Sequence, residues 1–162
     1  MKRYSLLILT GILIVLALGC GLNPKRNEDG SFSFDVKLTQ ETIERQLQAS
    51  LNDPQIQDVR VTLHDGYMLV SGTRTREIGG GSDMLLFRLD LAMRDGAVDA
   101  QISEVTLNGM SIDPAWMAGW SDSIADFFML ASQQEANSTL EAVRVTEEAV
   151  ILTMRVGGQP RE

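Results

Sequence analysis

Phe32, Phe34, Val36 and Leu38 alternate with polar neighbours. This predicts a half-buried strand, because successive side chains of a strand point to opposite faces. Thr39 then offers an N-cap hydroxyl, and Glu41 places an acid in the first turn of a helix. Ile43, Leu47 and Leu51 recur every four residues as its buried stripe, and Asn52-Asp53-Pro54 ends it. Val59, Val61 and Leu63 alternate again, Asp65-Gly66 signals a two-residue turn, and residues 67–72 return as the partner strand. Residues 73–83 read as a loop carrying Gly79-Gly80-Gly81, followed by a long alternating strand through Leu85, Phe87, Leu89, Leu91 and Met93. After the turn at Asp95-Gly96, Val98, Ala100 and Ile102 share one phase while Val105 and Leu107 lie on the other. A switch of face near Ser103-Glu104 predicts a bulge or sharp bend.

Asp113-Pro114 reads as a helix start, with aspartate as N-cap and proline at the first helical position. Trp116, Trp120, Ile124, Phe127, Phe128 and Ala131 form an apolar arc, with Asp122, Asp126 and Gln133 opposite it. Residues 134–138 are a polar break. Leu140, Val143 and Val145 lead to a turn at Glu147-Glu148, and Val150, Leu152, Met154 and Val156 close a last hairpin. The order β-α-ββ-ββ-α-ββ predicts an α+β domain with a curved antiparallel sheet wrapped against two helices, not a doubly wound parallel sheet.

The first residues follow a different pattern. Lys2 and Arg3 precede a stretch from residue 4 to residue 23 without a charge, almost wholly apolar over residues 6–18. This is the pattern of a secretory signal. Cys20, the only cysteine, follows Leu16-Ala17-Leu18-Gly19, which resembles a bacterial lipobox, with Ala17 where such boxes most often carry leucine. The reading is a lipoprotein signal peptide over 1–19, a lipidated Cys20 with a flexible polar tether over 20–31, a folded domain over 32–157 and a tail over 158–162. An uncleaved N-terminal membrane helix is the alternative, since the uncharged stretch approaches the length of a span. Either way the domain is extracytoplasmic and anchored to a bacterial membrane.

Charge and composition narrow the chemistry. Of 162 residues, 44% are hydrophobic and 22% charged, an ordinary globular mix, with a net charge of -8. That balance argues against a nucleic-acid partner, because phosphates select lysine and arginine. One cysteine and one histidine leave neither a Cys/His zinc site nor a disulfide framework, and no cofactor or metal is expected.

Candidate catalytic groups are few. His64 would need a serine nucleophile, and Gly119-Trp120-Ser121-Asp122-Ser123 lacks the last glycine of a nucleophile elbow and lies in a helical pattern. Gly79-Gly80-Gly81 has no phosphate-loop lysine, and Glu147-Glu148 point apart in a turn. The expectation is a non-catalytic protein. Arg60, Arg74 and Arg76 are candidates for gripping a lipid headgroup phosphate, against a solvated strand face. Trp116, Trp120, Ile124, Phe127 and Phe128, with the two-sided apolar run Met84, Leu85, Leu86 and Phe87, are either packed core or the lining of a groove for an acyl chain. Of that run Met84, Leu86 and Phe87 are the lining candidates.

Leu38-Thr39-x-Glu41-x-Ile43 opening a helix, then Val59-x-Val61-x-Leu63-x-Asp65-Gly66-x-Met68-x-Val70-x-Gly72, then Asp95-Gly96 before a strand ending Val105-x-Leu107-x-Gly109, then Val143-x-Val145 and Val150-x-Leu152, form a cadence from Leu38 to Val156. It resembles the LmeA-like phospholipid-binding proteins of bacterial envelopes, in the tubular lipid-binding (TULIP-like) superfamily. The resemblance implies a TULIP-like half-barrel, in which a strongly curved sheet wraps a helix and holds a phospholipid or fatty acyl chain in an apolar tunnel. The first expectation is therefore an anchored domain binding an apolar ligand. The second is an envelope interaction or scaffold protein with a solid core and no ligand.

Overall fold

The computed structural model describes residues 24–51, 54–76, 79–132 and 138–157. The signal segment, Cys20 and the tail lie outside them. In chain order the described elements are β1 (Lys25–Arg26), β2 (Phe32–Thr39), α1 (Gln40–Ser50), β3 (Ile56–His64), β4 (Tyr67–Thr75), β5 (Ser82–Arg94), β6 (Ala97–Leu107), β7 (Met110–Ser111), a 3-10 turn (Pro114–Met117), α2 (Ala118–Ser132), β8 (Ser138–Val145) and β9 (Ala149–Val156). The protein is α+β, and its strand pairings are antiparallel. The strands divide between two sheets, ordered β1-β2-β9-β8 and β3-β4-β5-β6-β7, where a single curved sheet was expected. The division arises because β2 pairs with β1 and with β9, at the far end of the chain, and not with the next strand β3.

Local rules place most of the elements. Thr39 caps α1, its hydroxyl accepting from the Thr42 amide at 3.4 Å. Ile43 and Leu47 are fully buried on the inward stripe. Gln48 and Glu44 reach sideways to the outer edge of β3. Gln48 donates to the Ile56 carbonyl at 2.9 Å and accepts from Val59 N, while Glu44 accepts from Val61 N at 2.9 Å. The helix thus occupies backbone groups that an edge strand would otherwise leave open to another chain. Asp95 and Gly96 both take positive φ, 51° and 77°, as a two-residue type I′ turn requires. The predicted change of face in β6 is a bulge. Glu104 sits at φ 51°, and the register against β5 slips between Leu86 and Arg88. It brings Val105 and Leu107 back to the side of Leu85 and Phe87.

One core unites the sheets and helices. Val61, Val70 and Phe87 line up across the second sheet, as do Leu63, Met68 and Leu89. Val150, Leu152 and Met154 supply the first sheet's contribution, and Ile124 and Phe128 that of α2. The turn between β3 and β4 docks on the first sheet through the Gly66 amide, which donates to the Val145 carbonyl at 3.1 Å.

Three details differ from the sequence reading. Residues 25–31, assigned to the tether, form a hairpin against β2: Asn27 N donates to Ser31 O at 2.8 Å, and Arg155 bonds Ser31 and ion-pairs with Asp29. The helix expected from Asp113-Pro114 begins as a 3-10 turn, and its α-helical part starts at Ala118. Asn108-Gly109, at φ 49° and 78°, makes a further tight turn and adds the short edge strand β7.

Candidate functional site

The aromatic residues of the 3-10 turn and α2 run from the core to the surface. Phe87 is fully buried and lies 6.4 Å from Trp120; Trp120 lies 5.9 Å from Trp116, which is 48% exposed. Arg74 sits over the Trp116 ring at 5.0 Å, in cation–π range. The series opens at the end of the second sheet where β4 and β5 finish their pairing.

Register explains why polar groups gather there. Arg74 pairs with Asp83 on the face that carries Gly72 and Leu85 further along. Arg76, just beyond β4, turns back to bind Asp83 Oδ1 through Nε at 2.8 Å and also through its terminal nitrogen. Asn108 donates to the same oxygen, and its own Oδ1 accepts from Met84 N at 2.8 Å. The Arg76 hydrogen bonds, then that of Asn108, hold the Asp83 carboxyl below the usual carboxylate range, and the positive charge of Arg74 adds to the effect. Arg74 Nε is the buried side-chain polar atom without a hydrogen-bond partner among the described residues. Two guanidinium groups therefore face one carboxylate, which leaves the rim with a surplus positive charge beside an exposed indole.

A carboxyl whose folded pKa is depressed contributes stability above its unfolded pKa, and that contribution disappears as pH falls through the folded value. Asp83→Asn is expected to lower the thermal midpoint at neutral pH. It should also flatten the midpoint's decline at pH values below the ordinary carboxylate range. A pH series of melting curves for both proteins measures this.

The sequence candidates separate into groups. Phe87, Ile124 and Phe128 are core residues exposed by 1% or less. Trp120 and Phe127 are half-buried and pack against that core. Met84 and Leu86 point to the opposite face of the sheet from Phe87, exposed by 65% and 38%. The eight lining candidates thus do not share one surface. Arg74 and Arg76 meet at Asp83. Arg60 does not join them: it lies on the other face of the sheet, 3.7 Å from Glu44. Sequence reasoning missed Asp83 and Asn108 as members of the rim, and the 68% exposed Met110, which follows Asn108-Gly109 in the short strand β7. The Asn-Gly pair, a strong hairpin signal, was the available clue to Asn108.

The other motifs occupy ordinary positions. His64 stacks on Tyr67 at 4.7 Å, and Arg88 covers the Tyr67 ring at 4.1 Å. Ser123 bonds the Gly119 carbonyl within α2. Gly79, Gly80 and Gly81 all take positive φ. Among the described residues no cluster of histidine, cysteine or acidic side chains is arranged to hold a metal, and no helix is long and apolar enough to cross a membrane. No family model, curated protein or solved structure matches the chain.

Proposed function

We propose that the chain is an extracytoplasmic lipoprotein, anchored through Cys20, that binds an amphipathic lipid without catalysis at the Trp116–Arg74 rim. One observation carries this reading: a half-exposed tryptophan covers an arginine whose Nε is buried and unpartnered. A lipid phosphate would supply that arginine with an anionic acceptor, and Trp116, Met110 and Trp120 offer apolar surface for the first methylenes of an acyl chain. On this reading β3–β7 with α2 act as one TULIP-like half, whose ligand enters beside the aromatic series and not through a preformed lumen.

A second reading, an envelope interaction or scaffold protein with no ligand, draws support from the full burial of Phe87, Ile124 and Phe128. The two part in one experiment. Lipid binding predicts co-purified lipid by native mass spectrometry and uptake of a fluorescent fatty acid from vesicles. Arg74→Ala and Trp116→Ala should each weaken uptake roughly tenfold, the size of a truncated hot-spot contact. The scaffold reading predicts empty protein and no uptake, with Ala100→Trp merely disrupting the packed interior. Lipid-free protein that takes up no probe while its fold is intact removes the lipid proposal.

A further inference from the structure

The chain is acidic, yet its unpaired cations are not scattered evenly. On the second sheet, Arg60, Arg76, Arg88 and Arg94 each have an acidic partner, on Glu44, Asp83, Asp90 and Asp99, and Arg74 at the Trp116 rim is the one cation without an ion pair among the described residues. On the first sheet, Lys25, Arg26, Lys37 and Arg144 are exposed and make no ion pair among the described residues; Arg26, opposite Phe32, lies on the other face from the remaining three. Register puts all three on the same outward face. Lys25 pairs with Ser33, which shares a face with Lys37 two pleats on, and Lys37 lies in one row with Ile151 and Arg144. Lys25 and Arg144 border an open hollow of about 190 Å³, with Ser33 and Thr153 in its wall. The acids of this face are already engaged: Asp35 accepts a hydrogen bond from Thr153 at 2.8 Å, and Asp29 and Glu141 share Arg155, with Glu141 also accepting from Ser33 at 3.0 Å. Glu147 and Glu148 stand beyond Arg144 at the β8–β9 turn.

We infer that this outer face of the first sheet is the surface the domain lays against an anionic phospholipid bilayer. The inference rests on the anchored reading of residues 1–23 and goes beyond it by assigning an orientation. Charge complementarity is the first argument. A chain of net charge -8 is repelled by anionic headgroups, so the least costly approach turns its largest group of uncompensated cations toward them, where each basic side chain adds attraction within a Debye length. Chain length is the second. Lys25 follows Cys20 by five residues, a reach of at most about 18 Å even if fully extended. Because Lys25 is paired into the first sheet, that sheet cannot stand far from its anchor. The Trp116–Arg74 rim lies toward the other end of β4, about 26 Å along the strand from the Gly66–Val145 contact at a rise of ~3.3 Å per residue, and so remains open to a ligand.

The full-length protein can test this, because Lys25 and Lys37 are the only lysines after Cys20. It is reconstituted into vesicles of phosphatidylcholine alone or with one part in three phosphatidylglycerol, and acetylation of each lysine is timed by mass spectrometry. Labelling of both is expected to slow about fivefold on the anionic vesicles, on the scale of a few basic side chains at such a surface, and to recover at high salt. Arg144→Glu should abolish most of that protection, whereas Arg94→Glu, on the other sheet, should not. Equal labelling on both vesicle types overturns the orientation. An unmodified Cys20 by intact mass refutes lipidation alone, since labelling is read on the vesicle-bound chain whichever way residues 1–23 hold it.

Discussion

Phe128→Ala is expected to destabilise the protein by about 3–5 kcal/mol, the usual cost of emptying a fully buried aromatic site. Phe128 is wholly buried against the core, and its ring lies tilted against that of Phe127, 4.7 Å between centroids. Truncation leaves a void between α2 and the sheets that neighbours on rigid elements cannot close. Trp120→Ala should cost less, because Trp120 is half-buried and part of its surface already meets water. Leu130→Ala, at a residue 66% exposed on the same helix, should fall within about 0.5 kcal/mol of the parent. Urea midpoints for the three variants measure the series. An equal loss for Phe128 and Trp120 would mean that the aromatic residues do not grade from interior to rim.

The second large effect is expected at Gly72, in the middle of β4. A Cβ built there meets the Gln57 carbonyl oxygen at 3.3 Å, with Ile56 and Val59 just beyond. The irregular stretch of β3, where the register slips between Gln57 and Arg60 and Asp58 takes φ 54°, lies across this position. Gly72→Val must push that backbone away or displace the strand, and should cost about 1–3 kcal/mol, as over-packing typically does. Gly72→Ala should cost less than Gly72→Val. Thermal unfolding followed by near-ultraviolet circular dichroism ranks the pair. A valine variant as stable as the parent would show that β3 yields easily, and that its bulge is not braced by the missing side chain.

Much of the fold was legible because its instructions are local. Thr39 with Glu41, the turns at Asp65-Gly66 and Asp95-Gly96, and the phase change across Ser103-Glu104 each depend on a few adjacent residues. Each appears in the structure where the pattern put it. The structure of 25–31 was less legible. A polar run with proline and glycine reads as tether; the Asn27 side chain bonding Ser31 and Ser33, and the distant Arg155 reaching Asp29 and Ser31, make it a hairpin. The polar cluster at the rim failed for the same reason. Asp83, Arg76 and Asn108 span twenty-five residues between Asp83 and Asn108 alone, and meet only once three strands are in register.

The division between sequence and tertiary structure follows the range of the forces involved. Period-two and period-four alternation, capping and turn residues determine by themselves which segments become strands or helices, and which side of each seeks the core. They do not determine partners, since one alternating strand presents much the same face as another. That β2 closes on β9, that α1 shields the edge of β3, and that Trp116 emerges over Arg74 while Phe128 is enclosed were decided by packing between distant segments. An apolar stripe states only that a surface leaves water; whether it is filled or lined is settled by what the rest of the chain places against it.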